Sequence, residues 1–594
     1  MRLVFDIETD GFLEDCTKIH CIVAYDLDTE ELHSFGPTKI DTGLHLLCDA
    51  DVLIGHNVMG FDLPALAKLD ATESWLPHWS DFKSAPKVLD TMLLTRLIWP
   101  EIGKVDKQKR LKLYPDMPGK RVGSHSLDAW GYRLGVKKMV YDGDFQTWTP
   151  HMQEYCEQDV MTNAALYRKI EEKAPAPEAI RLEHRFNIYT KRLERGGWPL
   201  DIDYCQKLYR EIGDRREDVY QRLQALHPYH EKITMKRPAH YVARGERFST
   251  KGEARKAHGA KVEITDGPFK VKTVEFNPAS RHHRARFLKT YPDWTPVGFT
   301  LDAVPKVDET SLERARGQVP DDVLDDLIDL LMLDKRLGQI GDGDNAWLKL
   351  EKNGRIHPGI ISTGCRTGRC SHVAPNIAQV PAKYSRTGDI QPYGEECRKI
   401  WKTDPGFLLV GADASGLELR MLSHFMHPWD NGEYTQLVLH GDVHTANMEA
   451  AGLSERPQAK TFIYAYLYGA GNAKLGSIVA PGASEATQQR HGAELKRKFA
   501  TKFPALESLQ DTIKTRAGFY KVTKGKQSFW RMSKTGRGYI LGIDKRRLPV
   551  PSAHSALNTL LQGAGGILMK EAASIFTERL DSMGWTAAEW QPVG

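Results

Sequence analysis

Several features that mark common protein classes are absent from this sequence. Its 594 residues contain no run of about 18 apolar residues, which excludes a membrane-spanning helix of ordinary length. The eight cysteines form no C-x-x-C pair and have no regular spacing, which argues against structural zinc and favours reduced thiols in the cytosol. The first residues, MRLVFDIETDG, lack the apolar stretch of a secretory signal. The net charge is only +5, so any positive charge that binds nucleic acid must be concentrated locally.

The residues that are present are typical of a large globular protein. Hydrophobic residues make up 41% of the chain and charged residues 27%, and the length predicts about three or four compact units. Apolar runs alternate with helical stretches up to about residue 175, and the two prolines within 173–179 predict a linker. Residues 232–274 carry eleven Lys and Arg residues against four Asp and Glu residues. We therefore predict an α/β multidomain protein with one strongly basic insertion.

A first group of acidic residues begins in the run LVFDIETDG. Asp6 and Glu8 are two residues apart, so a strand would point both carboxylates to one face and offer ligands for Mg²⁺. Asp62 follows another apolar run. Tyr155 and Asp159 are four residues apart and would share one face of a helix. Taken singly, each residue also fits a helix cap, a surface acid or a buried tyrosine.

A second group of acidic residues follows the apolar run FLLVG at 407–411. The pattern predicts a strand that ends at Asp413 and then a helix that carries Glu418. A carboxylate between a strand end and a helix start suits Mg²⁺ and phosphate, and the backbone carbonyl of Ala414 offers a second ligand. A helix cap with a neighbouring acid is the alternative interpretation.

Arg456, Lys460, Tyr464 and Tyr468 recur at intervals of four residues in the next helical stretch. On a helix, each step of four residues turns the side chain by only about 40°, so the four side chains form one face. Two cations and two aromatic rings match the phosphates, the sugar and the base of a nucleoside triphosphate. An amphipathic helix with a solvated basic end is the alternative.

Two sets of motifs resemble known enzyme families. The five residues of the first acidic group, in their chain order, resemble the DEDD exonuclease superfamily in its tyrosine-containing form. The strings TGCRTGRCSHVAPNIAQVP (363–381), DASGLELR (413–420) and R-x3-K-x7-YG (456–469) resemble the family A DNA polymerases. Further strings, among them PYGEECR and SAHSALNTLLQ, are similar to the bacteriophage T-seven branch of that family. Together, the motifs extend over nearly the whole chain.

These resemblances imply two active sites, each with two Mg²⁺ ions. In the exonuclease site, Tyr155 would orient the attacking water, and the metal ligands would be Asp6, Glu8, Asp62 and Asp159. In the polymerase site, the metal ligands would be Asp413 and the Ala414 carbonyl. The triphosphate would be held by His444, Arg456 and Lys460, the last of which would also stabilise the charge that develops during synthesis.

The remaining implied roles concern the sugar, the template and the duplex. Glu418 would exclude a ribose 2′-hydroxyl, Tyr464 would lie near the sugar, and Tyr468 would stack beside the template base. The primer–template duplex would be contacted by Arg369, Asn558 and Gln562. Contacts with minor-groove acceptors that all base pairs share would suit an enzyme that copies any sequence.

The resemblance also implies an RNase H-like exonuclease domain followed by a right-hand polymerase domain. The expected domains are an exonuclease domain (1–178), a thumb (179–345), a first part of the palm (346–440), fingers (441–540) and an incomplete second part of the palm (541–594). The basic insertion, at about 230–275, falls where the branch carries a thumb insertion that binds host thioredoxin. Thioredoxin, another processivity factor or the DNA backbone itself is therefore its expected partner.

One expected motif is missing. Family A polymerases carry a second palm carboxylate in an H-D-E string on a hairpin, and no H-D-E occurs in this sequence. One carboxylate and one carbonyl cannot hold two Mg²⁺ ions at working separation. We therefore expect that the chain is the large part of a split polymerase and that a second polypeptide supplies the hairpin. Truncation of a longer chain is the alternative.

The expected activity is that of a DNA-directed DNA polymerase, a nucleotidyltransferase, with 3′–5′ proofreading. It would replicate a phage genome in the cytoplasm of the host cell, and whether the lone chain polymerises stays open. One alternative is a 3′–5′ DNA exonuclease whose polymerase fold only grips DNA, and another is a non-catalytic DNA-binding assembly factor. A single-subunit RNA polymerase is a third alternative, against which the attached exonuclease and Glu418 argue.

Overall fold

The computed structural model describes residues 1–593 except 70–86, 137–138, 228, 234–237, 269–270, 386–387, 526 and 587. Residues 234–237 and 269–270 of the predicted basic insertion therefore lie outside the described residues. The chain forms two compact units. The first unit comprises Met1–Gly197, Pro358–Val373 and Leu408–Gly594, and the second comprises Trp198–His357 and Ala374–Phe407.

The N-terminal part of the first unit combines a five-stranded sheet with helices. In chain order its elements are β1 (Arg2–Thr9), β2 (Ile19–Asp26), β3 (Leu32–Phe35), α1 (Ile40–Cys48), β4 (Val52–Gly55), α2 (Asp62–Leu69), β5 (Val88–Asp90), α3 (Thr91–Ile98), α4 (Ile102–Leu113), α5 (Leu127–Leu134), α6 (Pro150–Glu171) and α7 (Pro177–Gly196). The strand order is β3-β2-β1-β4-β5, with β1 antiparallel to β2 and parallel to β4. The central strand β1 packs on both faces, with Phe5 and Ile7 on one side and Val4 on the other.

Local sequence signals explain where α6 and α7 begin. The hydroxyl of Thr149 accepts a hydrogen bond from the N–H of Met152. Pro150 occupies the first turn of α6, where proline is tolerated because the N–H groups of that turn have no hydrogen-bond partner within the helix. Pro177 begins α7 in the same way. The helical pattern is therefore interrupted between α6 and α7, although residues 177–179 already belong to α7 and the predicted linker between domains stays a prediction.

The second unit is built around two long helices. Its elements are β6 (Trp198–Pro199), α8 (Ile202–Leu226), β7 (Tyr229–Ile233), β8 (Tyr241–Ala243), β9 (Glu246–Phe248), α9 (Lys251–His258), β10 (Thr265–Asp266), β11 (Val271–Glu275), α10 (Arg281–Leu288), α11 (Glu309–Glu313), α12 (Asp321–Leu337), α13 (Trp347–Leu350), β12 (Glu351–Lys352), β13 (Arg355–Ile356) and α14 (Gly394–Lys399). The helices α8 and α12 pack through aliphatic side chains, and the Arg222–Asp326 ion pair joins them at the surface. The basic insertion forms the β7–β11 ladder, the β10-β8-β9 sheet and α9.

The rest of the first unit is mostly helical. Its elements are β14 (Gly359–Ile361), β15 (Ser371–Val373), α15 (Leu417–Asp430), α16 (Glu433–His440), α17 (Val443–Ala451), α18 (Arg456–Leu467), α19 (Asn472–Gly476), α20 (Glu485–Lys502), α21 (Pro504–Ala517), β16 (Phe519–Lys524), β17 (Gln527–Met532), β18 (Tyr539–Leu541), β19 (Arg547–Pro549) and α22 (Ala556–Ser582). The apolar faces of α15, α18, α21 and α22 contribute to one core. In the ranges that the structure describes, no helix is both long and apolar enough to cross a membrane.

A buried group of charges joins α7 to the C-terminal elements of the first unit. Oε1 of Glu183 accepts hydrogen bonds from Nζ of Lys570 and Nη1 of Arg546, each at 2.6 Å. Arg546 also pairs with Asp544, and all four residues are buried. Each charge therefore faces an opposite charge, as burial in a dry interior requires.

The prediction of a strand that ends at Asp413 is wrong. Residues 407–414 form no strand, and the structure begins a regular element only at Leu417. Leu408, Leu409 and Val410 are 89%, 60% and 89% exposed. A strand satisfies its backbone N–H and C=O groups by pairing with a neighbouring strand, and in the described residues no strand pairs with this segment.

Candidate active sites

Two acidic residues of β1 and one thiol of α6 converge at the sheet. Asp6 and Glu8 lie on one face of β1, as their spacing predicted, and both are partly exposed. The Sγ atom of Cys156 lies 3.9 Å from Oδ2 of Asp6. One ligand atom from each of the three residues lies within 4.8 Å of the other two, which is close enough to surround one cation.

Asp62 joins this cluster from the first turn of α2. Its carboxyl group is buried, hydrogen-bonds with Asp6 and accepts a hydrogen bond from the N–H of Ile7. Burial raises the pKa of Asp62 to about 7, although these hydrogen bonds act in the opposite direction. A bound cation would stabilise the ionised form of such a carboxyl group. Asp6 and Glu8 therefore offer oxygen ligands within reach of one hard divalent cation, and Asp62 contacts Asp6.

Tyr155 and Asp159 lie on α6 beside this cluster. Both are on the helix that carries Cys156, and Asp159 is buried, whereas Tyr155 is partly exposed. The Tyr155 ring lies 5.8 Å from the ring of Tyr141, measured between centroids. Because α6 packs against β1, the contact between Cys156 and Asp6 places this part of α6 at the acidic residues.

Two residues of this region were not identified by the sequence patterns. Cys156 has no partner at metal-ligand spacing in the sequence, so only the packing of α6 on β1 reveals it. Asp90 is buried at the end of β5 and accepts hydrogen bonds from the N–H groups of Asn57 and Met59. It thereby holds the turn that leads into α2. Its role as the N-cap of α3 could have been predicted, because Asp90 directly precedes an apolar helical stretch that begins at Thr91.

Glu418 is the centre of a second site. Its Oε1 accepts a hydrogen bond from Nη2 of Arg369 at 3.1 Å and another from the hydroxyl of Tyr468 at 3.2 Å. Glu418 lies in the first turn of α15, and Tyr468 is the residue that ends α18. Two donors from separate parts of the chain therefore fix the direction of one carboxylate.

The helix α18 presents the predicted face. Arg456 and Lys460 are exposed and Tyr464 is partly exposed, whereas Phe462 and Ile463 on the other side are buried in the core. The rings of Tyr464 and Tyr468 are 6.4 Å apart between centroids. The four-residue repeat thus produces one continuous polar and aromatic face.

His444 adds a third side chain that can hydrogen-bond to a phosphate at the start of this face. It lies in the first turn of α17, which packs against α18. Burial lowers the pKa of His444, and the nearby charges of Arg456 and Lys460 lower it further. Its Nδ1 is buried and has no hydrogen-bond partner among the described residues. The three predicted phosphate-binding side chains are therefore neighbours.

Asn558, Gln562 and Gly566 form a row on α22. They are spaced by four residues and are more exposed than the residues between them. Oδ1 of Asn558 lacks a hydrogen-bond partner in the described part of the chain. A Cβ atom at Gly566 would lie only 3.2 Å from Cγ of Arg369, so the glycine lets Arg369 extend the row. This places all three predicted duplex-contacting residues along one line.

Asp413 is exposed, and Ala414 next to it is partly buried. Among the described residues, Asp413 belongs to no group of three or more metal-ligating side chains. One carboxylate with one backbone carbonyl does not fit two divalent ions. Among the described residues, the predicted metal ligands of the second site are thus one carboxylate and one carbonyl, and a second carboxylate stays a prediction.

Comparisons with known proteins decide the family. The family model described as DNA polymerase family A matches residues 254–589. The DNA-directed DNA polymerase of Enterobacteria phage T3 is 35% identical, in an alignment that covers 96% of this chain and 88% of that protein. The DNA-directed DNA polymerase of Escherichia phage T7 is 34% identical over the same shares. The chain belongs to DNA polymerase family A.

The similarity of this family A chain to known proteins covers both the exonuclease-like and the polymerase-like motifs. The family model includes Arg369, Glu418, α18 and α22, and the similarity to the phage enzymes continues into the region N-terminal to residue 254. A solved structure, the POL domain of Pol1 from M. smegmatis in complex with DNA primer-template and dNTP, has the same fold. Its TM-score is 0.64 at 14% identity, and the match covers 98% of this chain and 86% of that one. The predictions of the family and of the fold class are thus confirmed.

Proposed function

We propose that the chain synthesises DNA from dNTPs on a template, excises 3′-terminal nucleotides in a separate site, and serves the replication of a phage genome. The observation that carries this proposal is the face of α18. It presents two exposed cations and two tyrosines, and Tyr468 at its end hydrogen-bonds to Glu418. The two cations suit the phosphates of a nucleotide, and the two tyrosines suit its sugar and base.

In the synthetic site, His444, Arg456 and Lys460 bind the triphosphate. The primer 3′-oxygen attacks the α-phosphate in line, and Lys460 stabilises the negative charge that develops. The carboxylate of Glu418 is held by two hydrogen bonds, so it presents a fixed obstacle to a ribose 2′-hydroxyl. Arg369, Asn558 and Gln562 contact minor-groove acceptors of the primer–template duplex. Mg²⁺, when bound at Asp413, supplies positive charge beside the phosphates.

In the excision site, the carboxylates of Asp6, Glu8, Asp62 and Asp159 would hold Mg²⁺, which when bound would supply positive charge for activating a water and stabilising the leaving oxygen. Tyr155 lies one residue from Cys156 and orients the attacking water. Support comes from the convergence of Asp6 and Glu8 with α6 and from the buried, hydrogen-bonded carboxyl group of Asp62.

A hairpin with a second carboxylate, carried by a second polypeptide or by a continuation of this chain, would complete the synthetic site. Support comes from the segment 407–410, whose apolar side chains are exposed and whose backbone has no strand partner in the described residues. A hairpin that paired with this segment would cover Leu408 and Val410 and bring a second carboxylate to Asp413. A C-terminal continuation of the same chain would pair with the same segment.

The basic insertion contacts the DNA backbone. Arg255 and Lys256 on α9 and Arg247 on β9 are exposed, and each contact with a phosphate would release bound counterions. Binding of thioredoxin to this insertion stays a prediction, since no feature of its described residues favours thioredoxin over DNA.

Primer extension by the 594-residue chain tests the proposal. A labelled primer–template is incubated with dNTPs and Mg²⁺, first with the chain alone and then with the polypeptide encoded by the adjacent reading frame. Extension only with the second polypeptide supports a split polymerase. Robust extension by the lone chain would refute the need for a completing hairpin. Excision without extension in both mixtures would favour the exonuclease-only alternative.

A further inference from the structure

Asp442 binds the side chain that is proposed to hold the triphosphate. Nε and Nη2 of Arg456 donate to Oδ2 and Oδ1 of Asp442, each at 3.1 Å. This two-point geometry is the one in which a guanidinium also binds phosphate. One of the two edges through which Arg456 could bind a phosphate at two points is therefore occupied by a carboxylate of the protein itself.

The same carboxylate caps α17. It accepts hydrogen bonds from the N–H of His444 at 3.1 Å and of Thr445 at 3.3 Å, and from the hydroxyl of Thr445 at 2.8 Å. The hydrogen bond from Arg456 lowers the pKa of Asp442, so the group is ionised at neutral pH. Asp442 thus has a fixed place, a full negative charge and a position between two of the predicted phosphate-binding residues.

The ion pair is open to exchange. The side chains of Asp442 and Arg456 are both about half exposed, and an exposed ion pair is weak enough for a charged ligand to replace. A polyphosphate carries more negative charge than one carboxylate and would also engage Lys460. Arg456 would then return to the carboxylate when the polyphosphate leaves.

We propose that Asp442 competes with the polyphosphate group for Arg456, so that it weakens the binding of pyrophosphate and favours its release after each nucleotide is added. This inference rests on the proposed function, because it assumes that Arg456 binds the triphosphate. Asp442 acts here as a positioning residue, since it touches Arg456 and not the reacting atoms.

The test uses Asp442→Asn in the full chain. Asparagine caps a helix as well as aspartate does, so the variant keeps the cap of α17 and loses the charge. Binding of inorganic pyrophosphate and of the templated dNTP is measured at equilibrium, on protein bound to a primer–template with a dideoxy-terminated primer. We expect both to bind about two- to five-fold more tightly than to the wild-type chain, the range set by a surface ion pair. A purely structural role of Asp442 predicts unchanged or weaker binding.

Two further variants make the outcome specific. Asp326→Asn breaks the two-point pair with Arg222 between α8 and α12 and should leave pyrophosphate binding unchanged.

In an Arg456→Gln background, Asp442→Asn should give little further gain in affinity, because the competition requires Arg456. An equal gain in that background would show a general charge effect and overturn the proposal. If the wild-type chain binds neither ligand, alone or with the polypeptide encoded by the adjacent reading frame, the triphosphate site itself is wrong. If it binds both and Asp442→Asn tightens neither, only the competition is wrong.

Discussion

At the scale of single residues, the synthetic site depends on how firmly one carboxylate is held. Glu418 accepts hydrogen bonds from Arg369 and Tyr468, which come from a loop and from the end of α18. A charged acceptor with two donors has little freedom to turn aside. This geometry is the one that the proposed exclusion of a ribose 2′-hydroxyl by a single acid requires.

Tyr468→Phe tests this account. The variant keeps the ring and removes one of the two hydrogen bonds, so the Glu418 carboxylate gains freedom. We expect the preference for dNTP over rNTP, measured as a ratio of kcat/KM values in the completed enzyme, to fall about three- to ten-fold.

Tyr466→Phe is the matched control for that variant, because the Tyr466 hydroxyl accepts a hydrogen bond from Gln510, a residue of α21. It should leave the preference unchanged. An unaltered preference in Tyr468→Phe would show that Arg369 alone fixes Glu418.

At the scale of elements, the buried charges around Glu183 hold α7, α22 and the β18–β19 hairpin together. Burial by itself would raise the pKa of Glu183, but Lys570 and Arg546 lower it to about 2, from 4.5 in a model compound. Because the folded pKa is below the unfolded one, the stabilisation is complete above pH about 4.5. It is lost as the pH falls towards 2.

Glu183→Gln leaves Lys570 and Arg546 with only Asp544 as a buried opposite charge. We expect the free energy of unfolding of this unit at pH 7 to fall by about 3 kcal/mol, measured by urea denaturation. The difference from the wild-type chain should shrink as the pH is lowered from about 4.5 towards 2. Glu178→Gln removes an exposed ion pair with Lys545 and should change little. Equal effects of the two variants would contradict the account.

The segment 407–413 shows where sequence reasoning reached its limit. The apolar run FLLVG reads as a strand, yet a strand forms only if another strand pairs with it, and that depends on residues far away in sequence. The helices that carry Tyr155, Asp159 and the α18 face could be predicted, because helical periodicity is local. The contacts of Cys156 with Asp6 and of Asp442 with Arg456 could not, since they arise only when separate elements pack.

Hydrogen exchange tests the proposed partner of this segment. In the lone chain, the amides of 407–413 should exchange rapidly, because no strand pairs with them in the described residues. With the H-D-E polypeptide bound, we expect exchange about ten-fold slower or more at these amides, measured by mass spectrometry. The amides of β16–β17 serve as an internal control and should not change. Fast exchange at 407–413 in the presence of the bound polypeptide would exclude pairing there.

At the scale of the whole molecule, both candidate sites belong to the first compact unit, which includes the N-terminal sheet and the helices α15–α22. The basic insertion belongs to the second. The division into exonuclease, thumb, palm and fingers domains stays a prediction. The family could be predicted because its motifs lie in short continuous strings, whereas the need for a further hairpin in the synthetic site stays a prediction.

The central claim is that one chain makes and cleaves the same DNA linkage at two separate groups of acidic residues. Asp6→Ala and Asp413→Ala test it most directly, with primer extension and 3′-excision measured for each variant together with the H-D-E polypeptide. The account predicts that Asp6→Ala abolishes excision and retains extension, and that Asp413→Ala abolishes extension and retains excision. Loss of both activities from either substitution, with the fold intact, would contradict it.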